Sequence, residues 1–131
     1  MERHPHRPAV HWISPVLIAC GAALALHCGG SPTGPSGSDA TVIITASGVS
    51  PAEVRIKTFG HVRFVNQDIR PHAISSDPVQ THTDCPGINN VGFLNSGERR
   101  ETGALNLART CGFHDHNNEF DQSLKGRIIV E

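Results

Sequence analysis

Short runs with a two-residue period constrain the fold of this chain more than any other feature of its sequence. In residues 54–57 and again in 61–66, apolar residues alternate with polar or charged ones, as on a strand with one buried face. Residues 41–46 are rich in β-branched side chains, and residues 126–131 form a further apolar run. No ten-residue segment carries the 3.6-residue period of an amphipathic helix. The sequence therefore predicts an all-β protein.

Turn-forming residues separate these runs. The 131-residue chain contains 13 Gly and 9 Pro, and they fall mainly between the strand-like segments. Further short strands are predicted at 71–75 and 99–102, with a strand end and turn at 93–98, and residues 105–111 lead into the Cys/His motif. Residues 76–91 read as one long loop. About seven to eight short strands in some ninety residues predict a Greek-key β-sandwich.

The first forty residues read as export and linker segments. Arg3 and Arg7 precede an apolar stretch at about 10–26, which is shorter than the roughly 20 residues of a membrane-spanning helix. We expect a signal segment at 1–28, of the lipoprotein type, a flexible Gly/Ser/Pro linker at 29–40, and one domain at 41–131.

Two cysteines are candidates for lipidation, because this segment resembles the bacterial lipoprotein signal. Cys20 follows a small residue, as the signal requires, whereas Cys28 stands where the linker begins. Alternatively, both are ordinary residues of a cleaved signal. The prediction is an exported protein of the periplasm or cell envelope, held to the membrane only by a lipid anchor.

The net charge and the motifs of the chain argue against two classes of function, nucleic-acid binding and enzymatic catalysis. The formal net charge is −1, so the chain lacks the basic face that a nucleic-acid-binding protein needs. No nucleophile–base pair stands on a recognisable scaffold, and an enzyme is therefore not expected.

A cysteine and several histidines suggest a metal site instead. Cys111, His114 and His116 fall within six residues of one another, and His72 follows a strand-like run upstream. Thiolate and imidazole are the ligands of copper and zinc in proteins. The sequence leads to the hypothesis that these two places fold together around a single copper ion.

Several of these elements, in this order, resemble the cupredoxin family of small blue-copper proteins. The resemblance spans residues 41–131 and consists of a Val-Ser-Pro turn (49–51), a Gly-initiated strand ending in Asn (60–66), a His (His72), a Gly-Glu turn (97–98), a Cys-x-x-His (Cys111 to His114) and a Gly-x-Ile-x-Val strand (126–130). It implies that copper is bound by His72, Cys111 and His114 and that the protein transfers single electrons.

The axial ligand of such a site is left open. Cupredoxins usually place a Met after the second histidine, but the only Met here is Met1, and Leu124 at the equivalent place cannot coordinate. His116 or Glu119 could supply a fourth ligand from the same loop. His82 and Cys85 form a second His/Cys pair and are further possible ligands.

A disulfide between Cys85 and Cys111 is the main alternative, because exported cysteines are commonly oxidised and the bridge would remove the thiolate. Two other functions therefore stay open. One is a copper chaperone or storage module, and the other is a metal-free, disulfide-tied sandwich that acts as an interaction domain. The copper ion is the one partner that the sequence indicates. The sequence does not identify a redox partner protein.

Overall fold

The computed structural model describes residues 38–131. The predicted signal segment (1–28), residues 29–37 of the predicted linker (29–40) and the lipidation candidates Cys20 and Cys28 lie outside the described residues. Within the described part, no helix is long and apolar enough to cross a membrane.

Nine strands account for most of the regular structure in residues 38–131. They are β1 (Ala40–Thr45), β2 (Gly48–Ser50), β3 (Glu53–Ile56), β4 (Val62–Asn66), β5 (His72–Ser76), β6 (Gly92–Leu94), β7 (Arg99–Glu101), β8 (Arg109–Asp115) and β9 (Lys125–Val130). Three short 3₁₀ turns lie at Pro86–Asn90, His116–Asn118 and Gln122–Leu124. The prediction of an all-β fold is confirmed, with one or two strands more than expected.

The strands form two sheets packed as a sandwich. One sheet has the order β2-β1-β4-β7 and the other β3-β9-β8-β5-β6. The β1–β4 and β3–β9 pairs are parallel, and the remaining pairs are antiparallel. The unexpected strand β2 overlaps a segment that the sequence assigned to a turn. It begins at Gly48, whose positive φ (+121°) lets the chain turn back to pair with β1.

Alternating apolar residues from both sheets fill the interior. Phe64 of β4 and Phe113 of β8 are fully buried and meet edge to face, with ring centroids 5.0 Å apart. Ile44, Ile74 and Ile128 are also without exposed surface. Burial stabilises the fold by about 1.5–3 kcal/mol for each such side chain.

Strand β8 runs further than the sequence indicated. The segment from Cys111 onward was expected to be a loop, but β8 continues to Asp115 and pairs with β9 on one side and β5 on the other. Successive side chains of a strand point to opposite faces of its sheet. Cys111 and Phe113 therefore lie in the core, whereas His114 lies on the opposite face.

The long segment between β5 and β6 is tied to the sandwich at several points. A disulfide joins Cys85 to Cys111 of β8, and Ile88 in the following 3₁₀ turn is fully buried. The side-chain oxygen of Asn89 accepts a hydrogen bond from the Ser76 N–H at 2.8 Å. The segment is therefore anchored at its β5 end and at its middle.

A buried amide fixes the connection from β4 to β5. The Asn66 side chain donates to the carbonyls of Arg70 (2.8 Å) and Leu94 (3.1 Å), and it accepts from the Asp68 N–H (2.9 Å). Because both ends of the amide are paired, Asn66 is buried without an unsatisfied group.

Candidate metal centre

The structure does not bring the predicted ligands His72, Cys111 and His114 together. Cys111 is bonded to Cys85, with a Cα–Cα distance of 5.7 Å, so its sulfur is not a thiolate. His114 lies on the face of β8 that is opposite to Cys111. Two features thus separate the predicted ligands: the disulfide removes the thiolate, and the predicted loop is a strand that turns Cys111 and His114 to opposite faces.

His72 is buried in the interior between two carboxylates. Its Nδ1 lies 2.9 Å from Asp115 Oδ2 and its Nε2 lies 3.2 Å from Asp68 Oδ2, with both atoms of each pair in fully or almost fully buried side chains. Both ring nitrogens therefore face carboxylate oxygens at hydrogen-bond distance. Asp68 and Asp115 thus occupy the two positions from which a metal ion would approach the ring.

Local interactions keep these two carboxylates ionised. The hydrogen bonds and charge of Arg70 lower the pKa of Asp68 to about 2. Burial raises the pKa of Asp115, but hydrogen bonds from the Ala73 N–H, the Asn118 amide and His72 outweigh it, and the net pKa is lowered. A copper thiolate site does not fit here, because the group facing His72 is the carboxylate of Asp115 rather than a sulfur.

Three other imidazoles converge on the outer face of the sheet. The nitrogen atoms that His82, His114 and His116 can offer to a metal all lie within 4.8 Å of one another. Ring centroids are 5.3 Å apart for His82–His114, 4.8 Å for His82–His116 and 6.1 Å for His114–His116. We refer to this group as the three-histidine cluster.

Each member of the cluster comes from a different local structure. His114 belongs to β8, and His116 opens the 3₁₀ turn that Asp115 caps by accepting the Asn117 N–H. His82 comes from the segment after β5 and has a left-handed backbone (φ 53°). Its N–H donates to the Pro78 carbonyl at 2.8 Å, and its carbonyl accepts from the Asn89 amide at 2.9 Å.

An aspartate orients His114. The imidazole Nδ1 lies 2.7 Å from Asp77 Oδ1, so Nδ1–H donates and the lone pair is left on Nε2. Asp77 lies across the backbone of Gly112, where any Cβ atom would collide with its carboxylate. A carboxylate bonded to the far nitrogen is the usual support of a metal-binding histidine.

Two nitrogen atoms of the cluster are buried without a partner. Among the described residues, the Nε2 atoms of His82 and His114 are the buried side-chain polar atoms that make no hydrogen bond. Each such group costs about 1–3 kcal/mol. A cation that accepts both lone pairs would remove this cost, and His116, which is exposed, can complete the set from the solvent side.

The spacing suits a metal ion after small side-chain movements. Two imidazole nitrogens on one tetrahedral ion lie about 3.3 Å apart, so the present upper separation of 4.8 Å closes by rotation of the exposed His116 and of His82. The residues present therefore fit a metal held by nitrogen ligands alone.

The remaining sequence candidates lie elsewhere. Glu119 is half-buried in the connection between β8 and β9 and is not part of the cluster. Leu124 is buried in the core, where it packs with its apolar neighbours. Sequence reasoning missed Asp77, which reads as an ordinary turn residue. The mirrored spacing of His82-x-x-Cys85 and Cys111-x-x-His114 was the available signal for pairing His82 with His114.

Comparison with known proteins bears on the fold. No family model matches the chain, and no curated protein matches it in sequence. Among solved structures, a novel purple cupredoxin from Nitrosopumilus maritimus is 23% identical and superposes with a TM-score of 0.57, over 71% of this chain and 100% of that one. Amicyanin from Paracoccus versutus is 20% identical with a TM-score of 0.58, over 76% and 86% of the two chains.

A third solved structure, an amicyanin variant in its reduced state, is 18% identical with a TM-score of 0.58, over 72% of this chain and 83% of that one. At sequence identities of 18–23%, the similarity to these structures concerns the fold alone. The chain has the cupredoxin-like fold that its strand pattern and Cys/His motifs predicted.

Proposed function

We propose that this protein binds copper through the three-histidine cluster and holds the ion for delivery to another protein. The observation that carries the proposal is the pair of buried, unpartnered Nε2 atoms of His82 and His114, aimed into one cluster. A buried imidazole nitrogen without a partner is costly unless a ligand uses it. The proposed site thus differs from the His72, Cys111 and His114 set that the sequence suggested.

The residues of the cluster have distinct roles. His114 supplies a lone pair in the tautomer that Asp77 selects, and His82 supplies a second from the tethered segment. The exposed His116 supplies the third and can swing away, which gives a partner protein access to the ion. Copper, when bound, supplies a cation that accepts all three lone pairs.

Ligand chemistry favours copper over alkaline-earth cations, since imidazole suits copper, zinc, iron and nickel, whereas magnesium and calcium prefer oxygen. Within the imidazole-binding metals, a given nitrogen site binds Cu²⁺ more tightly than the other divalent ions of the first row. A site without thiolate or thioether also lacks the soft ligands that select Cu(I).

One-electron transfer at the same ion is the second candidate function. It is favoured by the fold, because solved amicyanins with this architecture include a reduced form and a Cu(I) form. Reversible voltammetry of the copper-loaded protein, at a potential independent of scan rate, would support electron transfer. Transfer of copper to a chelating acceptor without such reversibility would support delivery.

Export to the cell envelope, with a lipid anchor at Cys20 or Cys28, remains part of the proposal. The signal-like pattern of residues 1–28 supports it. The Cys85–Cys111 bridge agrees with it, because disulfides persist outside the cytoplasm.

The test is a Cu(II) titration of the full chain against a competing chelator. We expect one ion per chain and an electron paramagnetic resonance signal with nitrogen couplings. The visible absorption spectrum should lack an intense thiolate-to-copper band. His114→Ala should weaken binding by more than about 100-fold, since loss of a ligand exceeds the 10- to 100-fold effect of losing a supporting residue.

Two matched controls separate this site from other imidazoles. His61→Ala removes a half-buried histidine whose Nδ1 lies 2.9 Å from the Thr102 carbonyl, and His72→Ala removes the interior one. Both should leave the copper affinity of the folded protein unchanged. Equal losses in His61→Ala and His114→Ala, or an intense thiolate band, would refute the proposed site.

A further inference from the structure

The Cys85–Cys111 disulfide lies directly between the two elements that carry the buried ligands. His82 precedes Cys85 by three residues, and His114 follows Cys111 by three. The bridge is therefore a covalent link between the His82 segment and β8, at equal chain distance from both histidines. The following inference rests on the proposed metal-binding function.

We propose that this disulfide is the positioning element of the three-histidine cluster, so that the oxidised protein holds its metal and reduction by a dithiol releases it. In the reaction, a thiolate of the dithiol attacks one bridge sulfur and the mixed disulfide is resolved by the second thiol. The bridge gains two electrons and two protons as two cysteine thiols, and the dithiol becomes a disulfide.

Direct links between β8 and the segment that carries His82 are few. The Asp77 N–H donates to the Gly112 carbonyl at 3.0 Å, the Asp77 carboxylate lies 2.7 Å from the His114 imidazole, and Asp84 lies 3.9 Å from Arg109. The Asp84–Arg109 pair is exposed, and such pairs contribute only about 0–1 kcal/mol. Among these links the bridge alone is covalent, and it sits three residues from His82.

The two histidines differ in how strongly they depend on the bridge. His114 is held by the β8 ladder and by Asp77, which lies next to the end of β5. His82 is held by its own turn and by Asn89, and the segment is tied to β5 where Ser76 binds the Asn89 side chain and the Cys85 N–H. These ties run to β5 rather than to β8. We therefore expect loss of the bridge to shift His82 relative to β8, while His114 stays in the strand ladder.

The Cys111 thiol would not substitute for His82. Cys111 is 1% exposed and faces the core, on the opposite side of β8 from His114. A ligand that moves away on reduction is consequently lost to the site. Preorganised ligands bind more tightly because less ordering is needed on binding, and the bridge supplies that order.

A cavity lies beside the bridge, on the side from which we expect a reductant to approach. It has a volume of about 70 Å³, and both cysteines line it together with Leu105, Leu107 and Arg109. Cys85 is 6% exposed to solvent. The guanidinium of Arg109 places a positive charge beside the path of an incoming thiolate, although Asp84 across the same cavity partly offsets it.

The first experiment compares the full chain with its Cys85→Ala/Cys111→Ala variant, which lacks both the bridge and new thiols. We expect the Kd for Cu(II) to rise about 10- to 100-fold, the range for loss of a supporting residue. The nitrogen couplings in the resonance spectrum should change from three ligands toward two. Circular dichroism reports the folded fraction to which affinities are referred.

A double-mutant cycle shows whether the bridge acts through His82. His82→Ala should weaken binding in the bridged protein, but it should cause little further loss in the bridge-free variant. A bridge with only a structural role would leave the two effects independent, and that result would overturn the inference.

The failure of this inference can be distinguished from the failure of the proposed function. If the bridged protein itself binds no metal, the proposed function fails. If it binds metal and the bridge-free variant binds equally well, only this inference fails.

A second measurement does not depend on the variant folding. The Zn(II)-loaded full chain is treated with a phosphine reductant while a fluorescent indicator reports free zinc. We expect zinc release to follow the appearance of free thiols with the same time course. Complete reduction of the bridge with zinc retained would overturn the inference.

Discussion

Two histidines on neighbouring strands of the same sheet show what separates a structural imidazole from a ligand. His72 of β5 points into the sandwich and His114 of β8 points away from it, and each has its Nδ1 beside an aspartate, at 2.9 and 2.7 Å. They differ at the other nitrogen, because Nε2 of His72 lies 3.2 Å from Asp68 whereas Nε2 of His114 has no hydrogen-bond partner. The free second nitrogen, rather than the histidine itself, marks the candidate site.

Among the changes that test this comparison, replacement of His72 should have the largest effect, and the quantity affected is the free energy of unfolding. His72→Ala leaves the buried Asp115 without its imidazole partner and should lower the free energy of unfolding by about 3 kcal/mol. Urea unfolding of the metal-free protein measures it. His114→Ala serves as the control, since it removes an unsatisfied buried nitrogen and should cost much less. Comparable losses in the two variants would contradict the assignment of His72 as structural.

An intermediate effect should appear when the support of His114 is weakened. Asp77→Asn removes the charge and allows the other imidazole tautomer, so the Kd for Cu(II) should rise about 10- to 100-fold. Gly112→Ala should act in the same direction, because its Cβ would displace the Asp77 carboxylate. Chelator competition measures both. Unchanged affinity in Asp77→Asn would show that His114 needs no orientation by this carboxylate.

The smallest effect concerns acid stability of the interior cluster. The pKa of Asp68 is about 2 in the folded protein against an ordinary 3.8, so its ionised form favours folding above about pH 4. That contribution is lost as the pH falls from about 4 to 2. We expect the stability difference between the protein and Asp68→Asn to shrink over this window in urea titrations. A difference that stays constant down to pH 2 would contradict the lowered pKa.

The fold was predictable from the sequence because strand period and turn residues are local signals. The alternation in residues 54–57 and 61–66 matches β3 and β4 closely. The site was less predictable, because it depends on whether residues 111–115 are strand or loop. Cys111, Gly112 and Phe113 carry no clear period, and their strand state is set by pairing with β5 and β9, which are distant in sequence.

The same limit applies to the partners of each histidine. Asp77 and Asp115 lie 37 and 43 residues along the chain from the histidines that they bind, and no local sequence pattern predicts either contact. The pairing of Cys85 with Cys111 was one of the open alternatives, and tertiary structure decided it. Once the bridge is known, the equal spacing of His82 and His114 from its cysteines indicates that they lie in the same region, and the structure gives their distance.

The completed hydrogen bonding around Asn66 has a consequence for how the protein could be used. Its amide, together with the paired Asp68, His72 and Asp115, leaves this part of the interior satisfied by protein groups alone. We therefore expect this frame, unlike a zinc finger, to fold without an ion. The chain could therefore fold empty, take up a metal afterwards, and pass through many cycles of loading and unloading with its architecture unchanged.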